Sequence, residues 1–588
     1  METSSTSLAD GPHPSAAEPA RPSAGVGRSQ QYHVLTTGCP PYPGVSRHPK
    51  WGLPLYRGRR LPPALEGFAA ARHSWERLVQ DVLNGVPPAP DRHRQPPALR
   101  DYQWPRVAKM QAAYAAGAPG FLLADPTGSG KTAMAITTVS GLPVKTVLVV
   151  TKLSVVPAWR AAIDLFATSA QRWVVINAEQ LWRLFEHPWH PLAALPADEA
   201  ASIAAQSGLC RVDFGVVITD ESHILADPTS IRSRLHARIM RPAHGERPWW
   251  LRLSATPFTA PHETRYVADL LAHVTGAEEP GDVDRSDYLE WLRERGFELN
   301  IDAGGRWHHV DNAHDVGRVK ELLYDSAVGA SSSPQELGLP DQVRELRPVE
   351  LSPKDLRTYA KAWREFRQAV GLATDDQDEV RDDGRQAALR RVQRASFLKV
   401  PHVAGVVADL VASGYQVAVP TWYLETVHAL CEHIAWELKS RGLPDRVVDI
   451  TGEDVGLRER KRRAFQLGRC RVIVFNALEG INLHAGERNV DGEGHDATST
   501  PRATVVAGVL TGGKRPLQAE GRASRDGQHA LAVYVYVPGT TEEAWLARML
   551  RFAANTQALA QASADARALT ELADQLDAHA GALPEVPA

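Results

Sequence analysis

The sequence predicts an α/β protein with two parallel-sheet domains, and three observations carry that reading. From about residue 96, apolar runs of strand length alternate with helical segments: "GFLLAD", "TVLVVT", "WVVIN", "FGVVITD" and "WWLRLSAT". A second such set starts near residue 399, with "YQVAVPTW", "RVVDIT", "CRVIVFNA", "ATVVAGVL" and "LAVYVYVP" separated by helices such as "ETVHALCEHIAWELKSRG". The runs are continuously apolar rather than alternating, as strands buried on both faces of a parallel sheet must be. At 588 residues the chain is also too long for one core.

Taken in order, residues 1–30 are rich in Ser, Ala, Pro and Gly and are expected to be poorly ordered, because they cannot bury enough apolar surface. Residues 31–95 form an accessory segment with one helical stretch, "ALEGFAAARHSWERLVQDVL". The first α/β domain covers 96–275. A charged, mostly helical insertion follows at 276–398, and within it "NIDAGGRWHHV" reads as a Gly-Gly hairpin. The second α/β domain covers 399–555, and an Ala-rich helix with a loose end covers 556–588.

Composition narrows the function. A net charge of −3 excludes a globally basic nucleic-acid coat, so any such contact must come from a local surface. The four cysteines, Cys39, Cys210, Cys431 and Cys470, show no zinc-ligand spacing, which favours a reducing compartment. The start "METSSTSLADG" has no secretory signal pattern. No run of about 18 apolar residues stands out, so a cytoplasmic protein without a membrane span is expected.

"LLADPTGSGKTAMAI" (122–136) carries the chemistry. A short apolar strand enters a Gly-rich turn and leaves as a helix. Small residues let backbone N–H groups turn toward phosphate oxygens, and the helix N-terminus adds its dipole. Asp125, Pro126, Thr127, Gly128, Ser129, Gly130, Lys131 and Thr132 are the expected ATP-binding loop. Lys131 reaches the β- and γ-phosphates, and the Thr132 hydroxyl holds Mg2+. Asp125 stands where such loops usually have Gly or Ala.

The loop needs a second carboxylate at a neighbouring strand end, and "VVITDESH" supplies it. Asp220 is expected on the metal and Glu221 on the attacking water. "LRLSATPF" (251–258) places Ser254 and Thr256 to relay hydrogen bonds beneath the γ-phosphate. In "LQAEGRASRDGQ" (517–528), Arg522 and Arg525 stand three apart, hence on one face if helical, and suit arginine fingers; a lone pair of this kind is ordinarily a solvated helix face.

In this order the motifs resemble helicase superfamily two over roughly 96–555. "LRDYQ" (99–103) looks like the adenine-recognising segment, with Gln103 as the base reader. "DPTGSGKT", "DESH", "SATP" and "QAEGRASRDGQ" look like motifs I, II, III and VI. The closest resemblance is to Swi/Snf-type ATPases. It rests on the acidic residue in "ADPTGSGKT", on "LVVTKLSVVPAW" as motif Ia, on "LPDQVRELRPVELSPKDLRTY" as the bridge to the second lobe, and on "VYVYVPGTTEEAWLARML" as the ending.

The resemblance implies two RecA-like lobes: a P-loop NTPase ATP-binding lobe and a helicase C-terminal lobe. It implies ATP with Mg2+, and catalytic roles for Lys131, Asp220, Glu221, Arg522 and Arg525. His223, Ser254, Thr256 and Gln518 are implied in coupling. Nucleic-acid contacts are implied at Thr151 and Lys152 in motif Ia, at Thr451 and Gly452 in "DITGED", and at Asn482 in motif V. The implied activity is tracking along double-stranded DNA, with a protein partner met through 31–95 or the tail.

Two departures stand out. "SATP" is closer to the wider superfamily than to the Swi/Snf form, and "NALEGINLHAG" (476–486) has Leu478 where the family prefers Gly. A polar insertion, 484–502, follows motif V. The basic run "RERKRRAF" (458–465) reads either as a nucleic-acid patch or as a solvated helix face. The cluster "RWHHVDNAHD" (306–315) reads either as a metal site or as an exposed hairpin end.

Overall fold

The computed structural model describes residues 98–582 apart from 169–170, 188–189, 243–245, 259, 282–284, 300–312, 339–341, 373–389, 422, 452–456, 477–480, 488–489, 491–493, 509–513 and 525–529. Before residue 98 it describes 24–26, 30–34, 42–43, 45–47, 54–57 and 62–66. The chain divides into two compact units. One comprises Met1–Ala98, Ala135–Asp220 and Ile224–Leu251; the other comprises Leu99–Met134, Glu221–His223 and Arg252–Ala588.

In the first unit, β1 (Ala24–Val26), β2 (Gln30–Val34), β3 (Val45–Arg47) and β4 (Pro54–Arg57) form an antiparallel sheet in the order β1-β2-β4-β3. β1 and the start of β2 fall in the stretch expected to be poorly ordered. The remainder of 1–30, and most of the helical stretch expected at 64–83, lie outside the described residues. The same unit holds β6 (Thr146–Thr151) between β7 (Arg172–Asn177) and β8 (Val216–Asp220), all parallel. Val147, Leu148, Val149 and Val150 are fully buried, which explains the unbroken apolar run.

In the second unit, α1 (Gln103–Ala115) precedes β5 (Gly120–Leu123), which pairs in parallel with β10 (Gly329–Ala330). The helix α2 (Lys131–Ser140) and the strand β9 (Trp249–Leu253) each run through a boundary between the units.

The second unit also holds a complete six-stranded sheet. Its members are β11 (Val343–Pro348), β12 (Gln416–Thr421), β13 (Val447–Ile450), β14 (Val472–Asn476), β15 (Arg502–Val506) and β16 (Ala530–Tyr536). The order is β11-β16-β15-β12-β14-β13, and every pairing is parallel. Strand period decides which residue faces which core. Val417, Val419, Val533 and Val535 face a core built with the helices Pro353–Leu372, Val400–Ala412 and Leu424–Ser440. Ala532, Tyr534 and Tyr536 face the opposite core, against the C-terminal helices Thr541–Leu559 and Ser563–Ala582. The chain is thus mixed α/β with parallel sheets, the class expected of RecA-like lobes.

Two features stand beside the expectations. The stretch 276–398, read as mostly helical, supplies β10 and β11. β10 is two residues long, and β11 ("VRELRP") is a largely exposed edge strand, so neither shows as an apolar run. Arg390–Ala412 is long and apolar enough to cross a membrane. Val400, Val403 and Val407 are nonetheless buried in the core of the second sheet, which accounts for the apolar face.

Candidate nucleotide site

Two glycines shape the loop after β5. Gly128 and Gly130 have φ of 84° and 83°, the left-handed region that a side chain disfavours. A Cβ on Gly130 would lie 2.2 Å from Gln103 Nε2. The helix α2 then starts at Lys131, so the N–H groups of its first turn face the loop, an arrangement suited to phosphate. The Lys131 ammonium donates to the carbonyl oxygens of Asp125 at 2.7 Å and Pro126 at 3.0 Å.

Gln103 braces this turn. Its Nε2 donates to the Ser129 carbonyl at 2.8 Å, and its Oε1 accepts from the Arg100 N–H at 2.9 Å. The Tyr102 hydroxyl donates to the same carbonyl at 3.0 Å. Both ends of the carboxamide expected to read adenine are therefore engaged by the protein.

Asp125, expected in the ATP-binding loop, turns its carboxyl into the protein. Its side chain is fully buried and lies 3.3 Å from Arg106 Nε. Burial raises its pKa, against the pull of Arg106 and Lys131. Arg106 also donates to Ser332 Oγ. Asp125 thus anchors the base of the loop, and Arg106 is a partner that sequence reading missed.

In the first unit, Asp220 ends β8. Its Oδ2 accepts from Trp159 Nε1 at 2.8 Å and from Thr151 Oγ1 at 3.1 Å. Thr151 was expected on nucleic acid. It closes β6 in the middle of three paired strands, is fully buried, and gives its hydroxyl to Asp220.

In the second unit, Glu221 has φ of 54°, a conformation that costs a side-chain-bearing residue on the order of 1–3 kcal/mol and clusters at functional sites. Its Oε2 lies 3.4 Å from His223 Nδ1. His223 Nδ1 is 3.0 Å from Ser254 Oγ, and its Nε2 is 3.2 Å from Gln518 Nε2. The Gln518 amide nitrogen has only hydrogens to offer, so the facing His223 Nε2 accepts and Nδ1 carries the hydrogen for Ser254. Ser254 Oγ also accepts the Thr256 N–H at 3.1 Å. The four residues implied in coupling thus form one connected chain of hydrogen bonds.

Gln518 belongs to the helix Lys514–Glu520. Lys514 pairs with Glu263 at 2.6 Å. Buried Glu520 pairs with Arg344 at 2.8 Å, and Arg344 also holds Asp565 of the C-terminal helix. A Cβ on Gly521 would lie 3.0 Å from Thr127 Cγ2, so this turn abuts the phosphate loop. The helix ends at Glu520, which corrects the expectation of one helical face for Arg522 and Arg525. Arg522 stands in the following turn, buried, with its carbonyl accepting from the Leu483 N–H at 2.9 Å. Arg525 lies outside the described residues.

The remaining nucleic-acid candidates scatter. Lys152 is half-buried at the start of a short 3-10 turn, Leu153–Val155. Thr451 is buried, and Gly452 lies outside the described residues. Asn482 Oδ1 meets His484 Nδ1 at 2.8 Å. The basic run forms the helix Arg458–Gln466, and acids answer it: Lys461 with Asp449, Arg462 with Glu459 and Glu487, Arg463 with Glu459. Of the histidine cluster and its hairpin, 300–312 lie outside the described residues. Asp315 caps the backbone of Glu298 and Leu299.

Residues 97–259 match the family model of the type III restriction enzyme res subunit. The matched segment, under half of the chain, is the one that carries the phosphate loop, "DESH" and "SATP", and the match is consistent with a superfamily-two helicase. With its motifs it makes the chain an ATP-hydrolysing, helicase-like enzyme. No curated protein sequence matches the chain. The Sulfolobus solfataricus SWI2/SNF2 ATPase core in complex with dsDNA aligns at 16% identity over 83% of this chain and 99% of that one, with a TM-score of 0.31. S. cerevisiae Dbp5 bound to RNA and ADP BeF3 aligns at 11% identity over 78% of this chain and 89% of that one, with a TM-score of 0.38. Both scores lie under 0.5, and neither likeness bears on the chemistry.

Proposed function

We propose that the chain is an ATP-driven motor that tracks along double-stranded DNA and remodels protein–DNA complexes. The observation that carries the motor reading is the chain Ser254–His223–Gln518, which ties motif III to motif II and motif VI. A protein that only switched on ATP would have no need of such a relay beside an intact hydrolytic set. Preference for duplex DNA over strand separation comes from the Swi/Snf-type sequence features. Both acids of the "GTTEE" among them are buried and hold the turn: Glu542 accepts the Val537 N–H at 2.9 Å, and Glu543 accepts the Gly539 N–H at 3.0 Å.

Lys131 positions the β- and γ-phosphates in this reading, Glu221 handles the attacking water, and Arg522 with Arg525 stabilises the developing charge. The donor chemistry fits magnesium, a hard cation that takes oxygen ligands, since Thr132 offers a hydroxyl and Asp220 a carboxylate. When bound, the ion neutralises phosphate charge. Partner contacts through 31–95 or the tail, and a cytoplasmic or nucleoid location, belong to the same proposal.

The test is ATP hydrolysis by the purified chain with no nucleic acid, duplex DNA, single-stranded DNA or RNA. Stimulation by duplex DNA supports a translocase. Stimulation by single strands or RNA moves the function to an unwinding helicase, which the "SATP" form of motif III favours. Very slow turnover beside tight, ATP-dependent DNA binding would instead mark a switch protein.

A further inference from the structure

Trp159 sits on the helix Val156–Phe166, seven positions after Lys152. Its side chain is 1% exposed, yet its indole N–H is not idle: Nε1 donates to Asp220 Oδ2 at 2.8 Å. Thr151 Oγ1 donates to that same oxygen at 3.1 Å. Thr151 arrives from the neighbouring parallel strand, whose register sets Val150 opposite Thr219. Two donors from two different elements therefore converge on one carboxylate oxygen.

That convergence has a mechanical consequence. A carboxylate at a strand end can rotate about its χ angles, and its two oxygens exchange roles as it does. With both donors on Oδ2, rotation breaks at least one hydrogen bond to a charged acceptor, and such bonds are the stronger kind. It would also strand a buried indole N–H, which is costly to leave without a partner. Burial of the large ring among fixed neighbours makes Trp159 the stiffer of the two donors.

We propose that Trp159 is a positioning residue for the Asp220 carboxylate, with Thr151 as its smaller companion. This rests on the reading of Asp220 as the magnesium-holding residue. The two donors present that carboxylate in a fixed orientation, so the cation meets it already aimed. Partners that hydrogen-bond a metal ligand typically change metal affinity or activity by 10–100-fold when removed.

Trp159→Phe removes the N–H and keeps an aromatic ring in the core; Thr151→Val removes the hydroxyl at constant volume. Trp159→Phe should raise the half-saturating Mg2+ concentration for ATP hydrolysis roughly 10-fold, with a much smaller fall in kcat at saturating Mg2+. Thr151→Val should raise it about 3-fold, as loss of one weaker donor. A second readout does not depend on turnover. Mn2+ binding in the presence of ADP, followed by electron paramagnetic resonance, should weaken by the same factors.

Asp220→Asn separates the two levels of the argument. If it leaves Mn2+ affinity unchanged, the reading of Asp220 falls and the proposal falls with it. If it weakens Mn2+ binding while Trp159→Phe and Thr151→Val do not, the reading stands and the proposal is overturned. Should Trp159→Phe fail to fold, Thr151→Val alone decides: unchanged Mn2+ affinity overturns the proposal.

Discussion

Gln518 Nε2 lies 3.2 Å from His223 Nε2, which puts the helix before Arg522 in direct hydrogen-bond contact with the turn that carries Glu221. The imidazole passes that contact on to Ser254, 3.0 Å from its other nitrogen. Any shift of the Lys514–Glu520 helix is therefore felt at the residues assigned to the water and the γ-phosphate. Gln518→Ala removes the contact without touching the phosphate loop. Its expected effect is a fall of roughly 3- to 10-fold in nucleic-acid-stimulated ATP hydrolysis, the worth of one hydrogen bond, with affinity for a fluorescent ADP analogue unchanged. Steady-state rates with and without duplex DNA check it. Equal stimulation in the variant and the parent would remove the relay from the mechanism.

Gly130→Ala should be far more damaging than its single methyl group suggests. The backbone there is left-handed, which costs an alanine about 1–2 kcal/mol. The new Cβ also falls 2.2 Å from Gln103 Nε2, inside any allowed contact. Either the turn opens or Gln103 releases the Ser129 carbonyl, and both distort the phosphate cradle. ADP binding, measured by titration, should weaken at least 10-fold while the thermal melting temperature falls by only a few degrees. Parent-like ADP binding would show that the cradle tolerates the shift.

How much of this was legible in the sequence depends on the kind of signal. The phosphate loop, the "DESH" turn and the "SAT" strand end announce themselves because chemistry fixes residue types at close spacing. Five of the six strands of the second sheet are visible because parallel strands such as Val472–Asn476 are apolar throughout, whereas the exposed edge strand β11 is not. What was hidden joins residues far apart in the chain. Trp159 reaches Asp220 across 61 positions and Arg106 reaches Asp125 across 19, and no local pattern marks either pair. Arg344 reads as one more charge in an exposed edge strand until Glu520 and Asp565 are seen around it. The spacing of the arginines resembles a helical face, whereas the helix ends at Glu520 and Arg522 follows in the turn where Gly521 approaches Thr127.

The buried pair Lys399–Glu542 supports the second sheet and makes a stability prediction. Nζ and Oε1 are 2.7 Å apart, each side chain is 1% exposed, and Lys399 also donates to the Val535 carbonyl at 2.8 Å. Removing one partner of such a pair leaves an uncompensated charge in the core and costs about 3–5 kcal/mol. Lys399→Met should therefore shift the urea midpoint strongly downward. Adding Glu542→Gln removes the stranded charge and should recover a large part of the loss. If the double variant is no more stable than the single one, the damage comes from packing, and the ion pair is not its cause.

Salt dependence of DNA binding tests how the basic helix Arg458–Gln466 is used. Each phosphate neutralised adds about 0.9 to the slope of log affinity against log salt on duplex DNA. A helix with its whole basic run open to solvent would contribute several such contacts. Here Lys461, Arg462 and Arg463 each have a carboxylate within 3.0 Å, and Arg462 lies between Glu459 and Glu487. A cation that must leave an acid to reach a phosphate releases little net charge, so it adds little to the slope. With a chain net charge of −3 there is no diffuse basic field to add more. The expected slope is shallow, under about four in magnitude, from fluorescence anisotropy of a labelled duplex between low and physiological salt. Arg462→Ala should lower the melting temperature, because it breaks two ion pairs and a bond to the Asn482 carbonyl, and should leave the slope nearly unchanged. A slope near ten, or one that drops by about one unit in Arg462→Ala, would instead make this helix part of the nucleic-acid track.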